Sequence, residues 1–287
     1  MVVRTVAGSS STPRGVPCGC LPLVDVYRPR TLDEALRIRA EHPEAQPIQG
    51  GTDVMVELTF GDERPPALLD LSELTELRGV AEDGDGLRLG AALTYTEAMR
   101  APVARRLPAL AEAARTVGSP QIRNRGTIGG NLGTGSPAGD ALPPLLAERA
   151  EVELTSVRGM RTLPLGEFLL GVKRTALAAD ELVTAVRVRP SGGAQTFAKV
   201  GPRNAMVIAI CSLAVVVDTA AGEVRAAFGS AAVTAKLVTV PLAAAADLPD
   251  RVAEAAMPID DVRASAAYRR HALRVLAGRA LERCLRS

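Results

Sequence analysis

The 287-residue chain has no tryptophan, and three tyrosines and four phenylalanines make aromatics only 2% of it. Aromatic side chains therefore cannot dominate the interior, which has to be built from alanine, valine and leucine within a 47% hydrophobic composition. Cysteine and histidine are also scarce, at four and two, too few for a disulfide scaffold at this length. Cys18 and Cys20 form a C-x-C pair near the start, Cys211 lies in an apolar stretch, and Cys284 is near the end. That is not a zinc or iron–sulfur spacing, and no metal site is expected. No charge predominates. The 34 Lys and Arg against 32 Asp and Glu leave a net charge of +2, with the arginines spread out, which argues against a nucleic-acid binder. The longest apolar run, Met206 to Val217, is too short for a membrane span and is rich in β-branched residues, as a buried strand is. Residues 1–20 have no apolar signal-peptide core and read as a flexible tail, so the expected location is the cytoplasm.

The length allows two or three domains with cores of their own. Residues 21–79 read as a small βαββ lobe, with Thr31 and Glu34 as a capping box for its helix. Residues 80–189 read as a second lobe, with a turn at Gly84–Gly86, a helix near Thr96, another through Pro108 and a hairpin around Arg158–Gly159. A linker-like Pro190–Gly193 then leads into residues 190–287, with two long strands and a closing helix. The mixed order of elements predicts an α+β fold.

Residues 119–144, SPQIRNRGTIGGNLGTGSPAGDALPP, are the unusual stretch. With Gly118 just before them they hold seven glycines, and ordering a loop so rich in glycine costs conformational entropy. A second Gly-Gly pair occurs upstream in PIQGGTDVMVEL. Adjacent glycines let the backbone approach a ligand and turn successive N–H groups toward one anion. Two such loops facing each other suit a diphosphate, with Thr52, Thr127 and Asn131 as further donors; alternatively, the pairs simply make turns. No lysine stands in either loop, so a P-loop is excluded. Gly133–Ala138 matches a relaxed G-x-G-x-x-A but lacks a preceding strand, and G-x-S-x-G is absent.

IQGGTDVMVEL together with GSPQIRNRGTIGGNLGTGSPAGDALPPLL resembles the paired flavin-binding motifs of the FAD-binding medium subunits of molybdenum hydroxylases, of the xanthine dehydrogenase and carbon monoxide dehydrogenase type. FAKVGPRNAMVIAICSLAVVV and VRASAAYRRHALRVLAGRAL resemble that family's C-terminal domain. The resemblance implies a two-lobed FAD fold of the vanillyl-alcohol oxidase type followed by a C-terminal α+β domain. It implies non-covalent FAD, held through backbone N–H groups by Gln49, Gly50, Gly51, Thr52, Asp53 and Val54 and by Thr127, Ile128, Gly129, Gly130 and Asn131. Asp140 would accept from a ribose hydroxyl, Thr94 would lie by the flavin ring with Val183 covering it, and Lys199 would tune the flavin at its polar edge. The family often has Asp where this chain has Val207. The implied partners are an iron–sulfur small subunit, a large subunit with the molybdenum cofactor, and NAD+ or another electron acceptor. A free-standing FAD-dependent oxidoreductase and a flavin-less assembly subunit are the alternatives.

Overall fold

The computed structural model describes residues 3–6, 24–61 and 64–286; Cys18 and Cys20 lie outside the described residues. The architecture is α+β, built on three main sheets. The first contains β1 (Val3–Val6), β2 (Val24–Tyr27), β3 (Gln46–Ile48) and β4 (Ala67–Asp70), all parallel, in the order β1-β2-β4-β3. Its first strand is formed by residues that read as tail in the sequence. Helix α1 (Leu32–Glu41) connects β2 to β3, and the Thr31 hydroxyl caps it by accepting from Glu34 N at 3.2 Å. The Glu34 carboxylate accepts from Arg30 N at 2.8 Å, so the reciprocal half of the expected box is displaced by one residue. A short helix, α2 (Val54–Phe60), follows the first glycine turn.

The second sheet is antiparallel, in the order β5-β6-β11-β7-β8. It comprises β5 (Val80–Asp83), β6 (Gly86–Gly90), β7 (Glu151–Ser156) and β8 (Gly159–Pro164), then β11 (Leu182–Val188) after a small hairpin of β9 (Leu169–Gly171) and β10 (Arg174–Thr175). Between β6 and β7 lie α3 (Tyr95–Ala98), α4 (Val103–Arg106), α5 (Pro108–Thr116), α6 (Pro120–Arg125), α7 (Ile128–Thr134) and α8 (Leu142–Ala147); α9 (Leu165–Phe168) follows β8. The glycine-rich stretch 119–144 is thus three short helices rather than a loop. The Ser119 hydroxyl caps α6 through Ile122 N at 3.3 Å, and the Thr127 hydroxyl caps α7 through Gly130 N at 3.0 Å. Pro120 and Pro143 sit in first turns, where a missing N–H costs nothing.

The third sheet runs antiparallel in chain order through β12 (Ala194–Val200), β13 (Cys211–Asp218), β14 (Glu223–Gly229) and β15 (Lys236–Pro241), followed by α10 (Leu248–Ala255) and α11 (Ala266–Arg286). Every residue of β13 is buried because the strand is covered on both faces. Leu213, Val215 and Val217 pack with α10 and α11, while Ala214 and Val216 join the core of the second lobe. Cys211 and Cys284 are buried in the first of these cores, and burial pushes both thiols up to about 11. Among the described residues no helix is long and apolar enough to cross a membrane.

A buried carboxylate ties the second sheet together. Glu153 on β7 accepts from Arg88 on β6 at 2.6 Å and from Thr184 and Arg187 on β11 at 2.8 and 3.1 Å. Burial by itself raises a carboxyl pKa, but these bonds outweigh it and pull Glu153 down to about 2. A depressed folded pKa means stability that is fully present above the ordinary carboxyl pKa and is lost as pH falls toward about 2. Glu153→Gln should therefore lose about 3 kcal/mol at neutral pH and flatten the acid limb of the stability curve. Urea unfolding of both proteins between about pH 7 and 2 checks this, and parallel curves would contradict it.

Candidate flavin cleft

The two lobes enclose a cleft of about 850 Å³. One wall is the turn between β3 and α2. Gly51 there has φ +74°, which favours glycine, and Gly50 packs so close to the Arg125 carbonyl that a Cβ would run into it. Among the described residues, the N–H groups of Gly50, Gly51, Thr52 and Asp53 have no hydrogen-bond partner. The opposite wall is α7 with the segment after it. Two side-chain contacts bridge the walls: Thr134 Oγ1 donates to Asp53 Oδ2 at 2.9 Å, and Lys173 Nζ donates to Glu57 Oε1 at 2.5 Å.

Gln49, Gly50, Gly51, Thr52, Asp53, Val54, Thr127, Gly129, Gly130, Asn131, Asp140 and Val183 all lie on this one surface, although they span nearly half the sequence. The two glycine motifs differ in what they offer. In the second, Ile128 N donates to Leu93 O at 2.9 Å, Gly129 N to Ala91 O at 2.8 Å and Asn131 N to Thr127 O at 3.0 Å. With Gly130 N on the Thr127 hydroxyl, these donors are engaged within the protein, and the unengaged backbone donors belong to the first motif. Gly129 is needed for packing, since a Cβ would come within 2.5 Å of the Ala91 methyl. Gly130 is different: an added Cβ would meet only its own cap hydroxyl, at 3.0 Å, and the residue lines the cleft.

Three expected residues lie elsewhere. Thr94 is off the cleft wall: it caps α3, accepting from Glu97 N at 3.2 Å and donating to Glu97 Oε2 at 2.7 Å, so its hydroxyl is engaged. Its neighbour Tyr95 lines the cleft instead; burial first, then Asp140 and Asp53, hold its phenol neutral. Ile128 is fully buried in the core of the second lobe. Lys199 is not on the wall, and neither is it a surface lysine: its ammonium donates to Asp140 Oδ2 at 2.6 Å.

Val207 lies on the rim, its side chain packed against Gly201, with Met206 and Ile208 exposed on either side. The G-x-G-x-x-A match at Gly133–Ala138 falls across the C-terminal end of α7, where Gly135 has φ +57°, and not at a strand-to-helix turn. Sequence reasoning missed Tyr95 and Gly139. The scarcity of aromatics marks the first. The second has no local signal, because its role is to lie against the Asn131 amide, which a Cβ would meet at 2.7 Å.

The wall also holds polar atoms without partners. Gln49 Oε1, Asn131 Oδ1 and Asp140 Oδ1 are buried and accept no hydrogen bond. Unmet buried acceptors cost about 1–3 kcal/mol each, and a ligand with hydroxyl or amine donors removes that cost. Burial raises the pKa of Asp140, opposed by Lys199. Unpaired backbone donors on a glycine turn facing unpaired acceptors define a site for a large nucleotide-like ligand that carries both phosphate oxygens and hydroxyls.

The family described as the FAD-binding domain in molybdopterin dehydrogenase matches residues 22–190. The putative xanthine dehydrogenase FAD-binding subunit of Escherichia coli K12 is 38% identical over 218 residues, 72% of this chain and 74% of the relative. The nicotine 6-hydroxylase medium subunit of Paenarthrobacter nicotinovorans is 34% identical over 268 residues, 87% of this chain and 93% of the relative. Carbon monoxide dehydrogenase from Hydrogenophaga pseudoflava superposes with a TM-score of 0.85 at 28% identity, covering 92% of this chain and 98% of that one. The chain belongs to the family of FAD-binding domains of molybdopterin dehydrogenases, and its cofactor is FAD. The unpaired donors and acceptors of the cleft fit that cofactor's diphosphate and hydroxyl groups.

Two substitutions separate packing from binding at the glycines. Gly130→Val should keep the fold, with melting within a few degrees of the parent, yet lose FAD because the side chain fills ligand space. Gly50→Ala should lower stability as well, because it drives the two lobes apart. Flavin absorbance per mole of protein and thermal melting distinguish the two cases. Gly130→Val retaining a full complement of flavin would refute the assignment of this surface.

Proposed function

We propose that this chain is the FAD-carrying medium subunit of a molybdenum hydroxylase. In this reading, substrate is oxidised at a molybdenum cofactor in a large partner subunit. Electrons pass through iron–sulfur clusters of a small partner subunit to the FAD held here, and leave to NAD+ or another acceptor. The complex works in the cytoplasm. The observation that carries the reading is the cleft itself, where the described residues leave four backbone donors and three buried acceptors without partners, in a chain whose medium-subunit relative matches over 93% of its length.

FAD supplies the ability to exchange electrons with one partner and release them to another. The residues of this chain bind and orient it. Gly50 to Asp53 present their N–H groups to the diphosphate, and Asp140 and Asn131 accept from hydroxyls on the opposite side. Gln49 adds an acceptor at the base of the first turn, while Val54 and Val183 exclude water along the apolar stretch. Among the described residues no histidine or cysteine lies on the cleft wall, which supports a cofactor held without a covalent bond.

Two measurements test this. Acid precipitation should release all the flavin to the supernatant; colour left on the pellet would contradict non-covalent binding. Co-expressed with its partners, the protein should copurify with a cluster-bearing and a molybdenum-bearing subunit, and alone it should hydroxylate no purine or other N-heterocycle. A lone flavoprotein with its own substrate turnover and no such partner would establish the free-standing oxidoreductase instead.

A further inference from the structure

Besides Met206, Val207 and Ile208 at the rim, the C-terminal domain reaches the cleft wall through one charged side chain. Lys199, on β12, is 6% exposed. Its ammonium donates to Asp140 Oδ2 at 2.6 Å and to the carbonyl of Thr116, the last residue of α5, at 3.3 Å. Asp140 is 8% exposed, lies on the cleft wall, and has no partner for Oδ1. Three parts of the fold therefore meet at one buried charge: the end of α5, the segment before α8, and the third sheet.

An ammonium in this place has two physical effects. It opposes burial, which by itself drives a carboxyl toward its neutral acid form. It also occupies Oδ2, which fixes the carboxylate plane and leaves Oδ1 as the atom available to the cleft. Tyr95 lies beside Asp140 as a buried neutral phenol, and Asp53 adds a second negative charge across the cleft. Among the described residues Lys199 is the cation bonded to Asp140, and no other positive group neutralises it.

We propose that Lys199 is a positioning residue for FAD that acts through Asp140, keeping its carboxylate charged and its free oxygen aimed at a cofactor hydroxyl, so that the third sheet contributes to cofactor affinity through this ion pair. This rests on the FAD reading of the cleft, which flavin binding by the parent protein tests separately. The ammonium's hydrogen bonds go to Asp140 and Thr116, which favours this role over direct tuning of the flavin by Lys199.

The test is a double-mutant cycle on FAD affinity, with apoprotein titrated against FAD by flavin fluorescence. Lys199→Gln and Asp140→Asn should each raise Kd on the order of tenfold or more, as loss of a charge-assisted bond does. The double variant should be no worse than Asp140→Asn alone. Lys199→Arg, which keeps the charge, should stay close to the parent. In Lys199→Gln, Kd should fall as pH rises, because the carboxylate that accepts the cofactor hydroxyl then recovers its charge, whereas the parent stays flat. A general packing defect would weaken binding equally at every pH and would not be relieved by Asp140→Asn. Should Lys199→Gln fail to fold, the Lys199→Met, Asp140→Asn pair supplies the comparison against Asp140→Asn, and equal affinities are expected. Independent, multiplying effects of the two single variants would overturn the proposal. So would a change in flavin reduction potential on Lys199→Gln that persists in the Asp140→Asn background.

Discussion

At the seam between the two lobes, main chain lies against main chain. Gly50 packs there on the carbonyl of Arg125, and within the second lobe Gly129 packs on Ala91, each with room for a hydrogen and nothing larger. These contacts set the width of the cleft, because they bring the turn after β3 within reach of α7. The side-chain links across the same seam, Asp53 to Thr134 and Glu57 to Lys173, are exposed and contribute little by themselves. Their effect depends on the backbones already being in place. The entropic cost of so many glycines is thereby explained: some are there for contact between lobes, and Gly130 alone of the second Gly-Gly pair leaves space for a ligand.

The third domain is not an appendage to this seam. Its sheet contributes alternate residues of β13 to the core of the second lobe, and Arg225 on β14 is buried against α8. That guanidinium donates to the Ala147 carbonyl at 2.6 Å and to Glu148 and Asp218, both at 3.2 Å. Removing one member of such a cluster leaves its partners as uncompensated buried charge, so the interface tolerates little change. Lys199 extends the same logic to the cleft. The domain that packs behind the cofactor site also supplies the cation under its one buried carboxylate, and so folding of the C-terminal region and cofactor affinity are linked.

Much of this was legible in the chain. The cap at Thr31 is read from a hydroxyl residue at the head of a helical pattern, since it depends only on atoms three residues apart; the caps at Ser119 and Thr127 fall in a stretch that reads as a loop. The Gly84–Gly86 turn and the Arg158–Gly159 hairpin are local in the same sense. The run through Val217 announces a strand buried on both faces because apolar residues occupy both phases of its alternation. Both glycine motifs point to one ligand, and most of their residues do line one cleft.

What the residues alone determined, then, was part of the set of elements, outside β1 and the helices of 119–144, and the anion-seeking chemistry of two glycine motifs, both of which follow from short-range geometry and residue type. Which N–H groups are unengaged was decided by tertiary contacts: Ala91 and Leu93, some thirty-five residues upstream, take the donors of the second motif and leave those of the first. The engagement of Thr94 and Lys199 was decided for the same reason. A side chain's nearest partner in space, Glu97 for one and Asp140 for the other, satisfies it before any ligand does, and only the folded chain brings Lys199 and Asp140 within 2.6 Å.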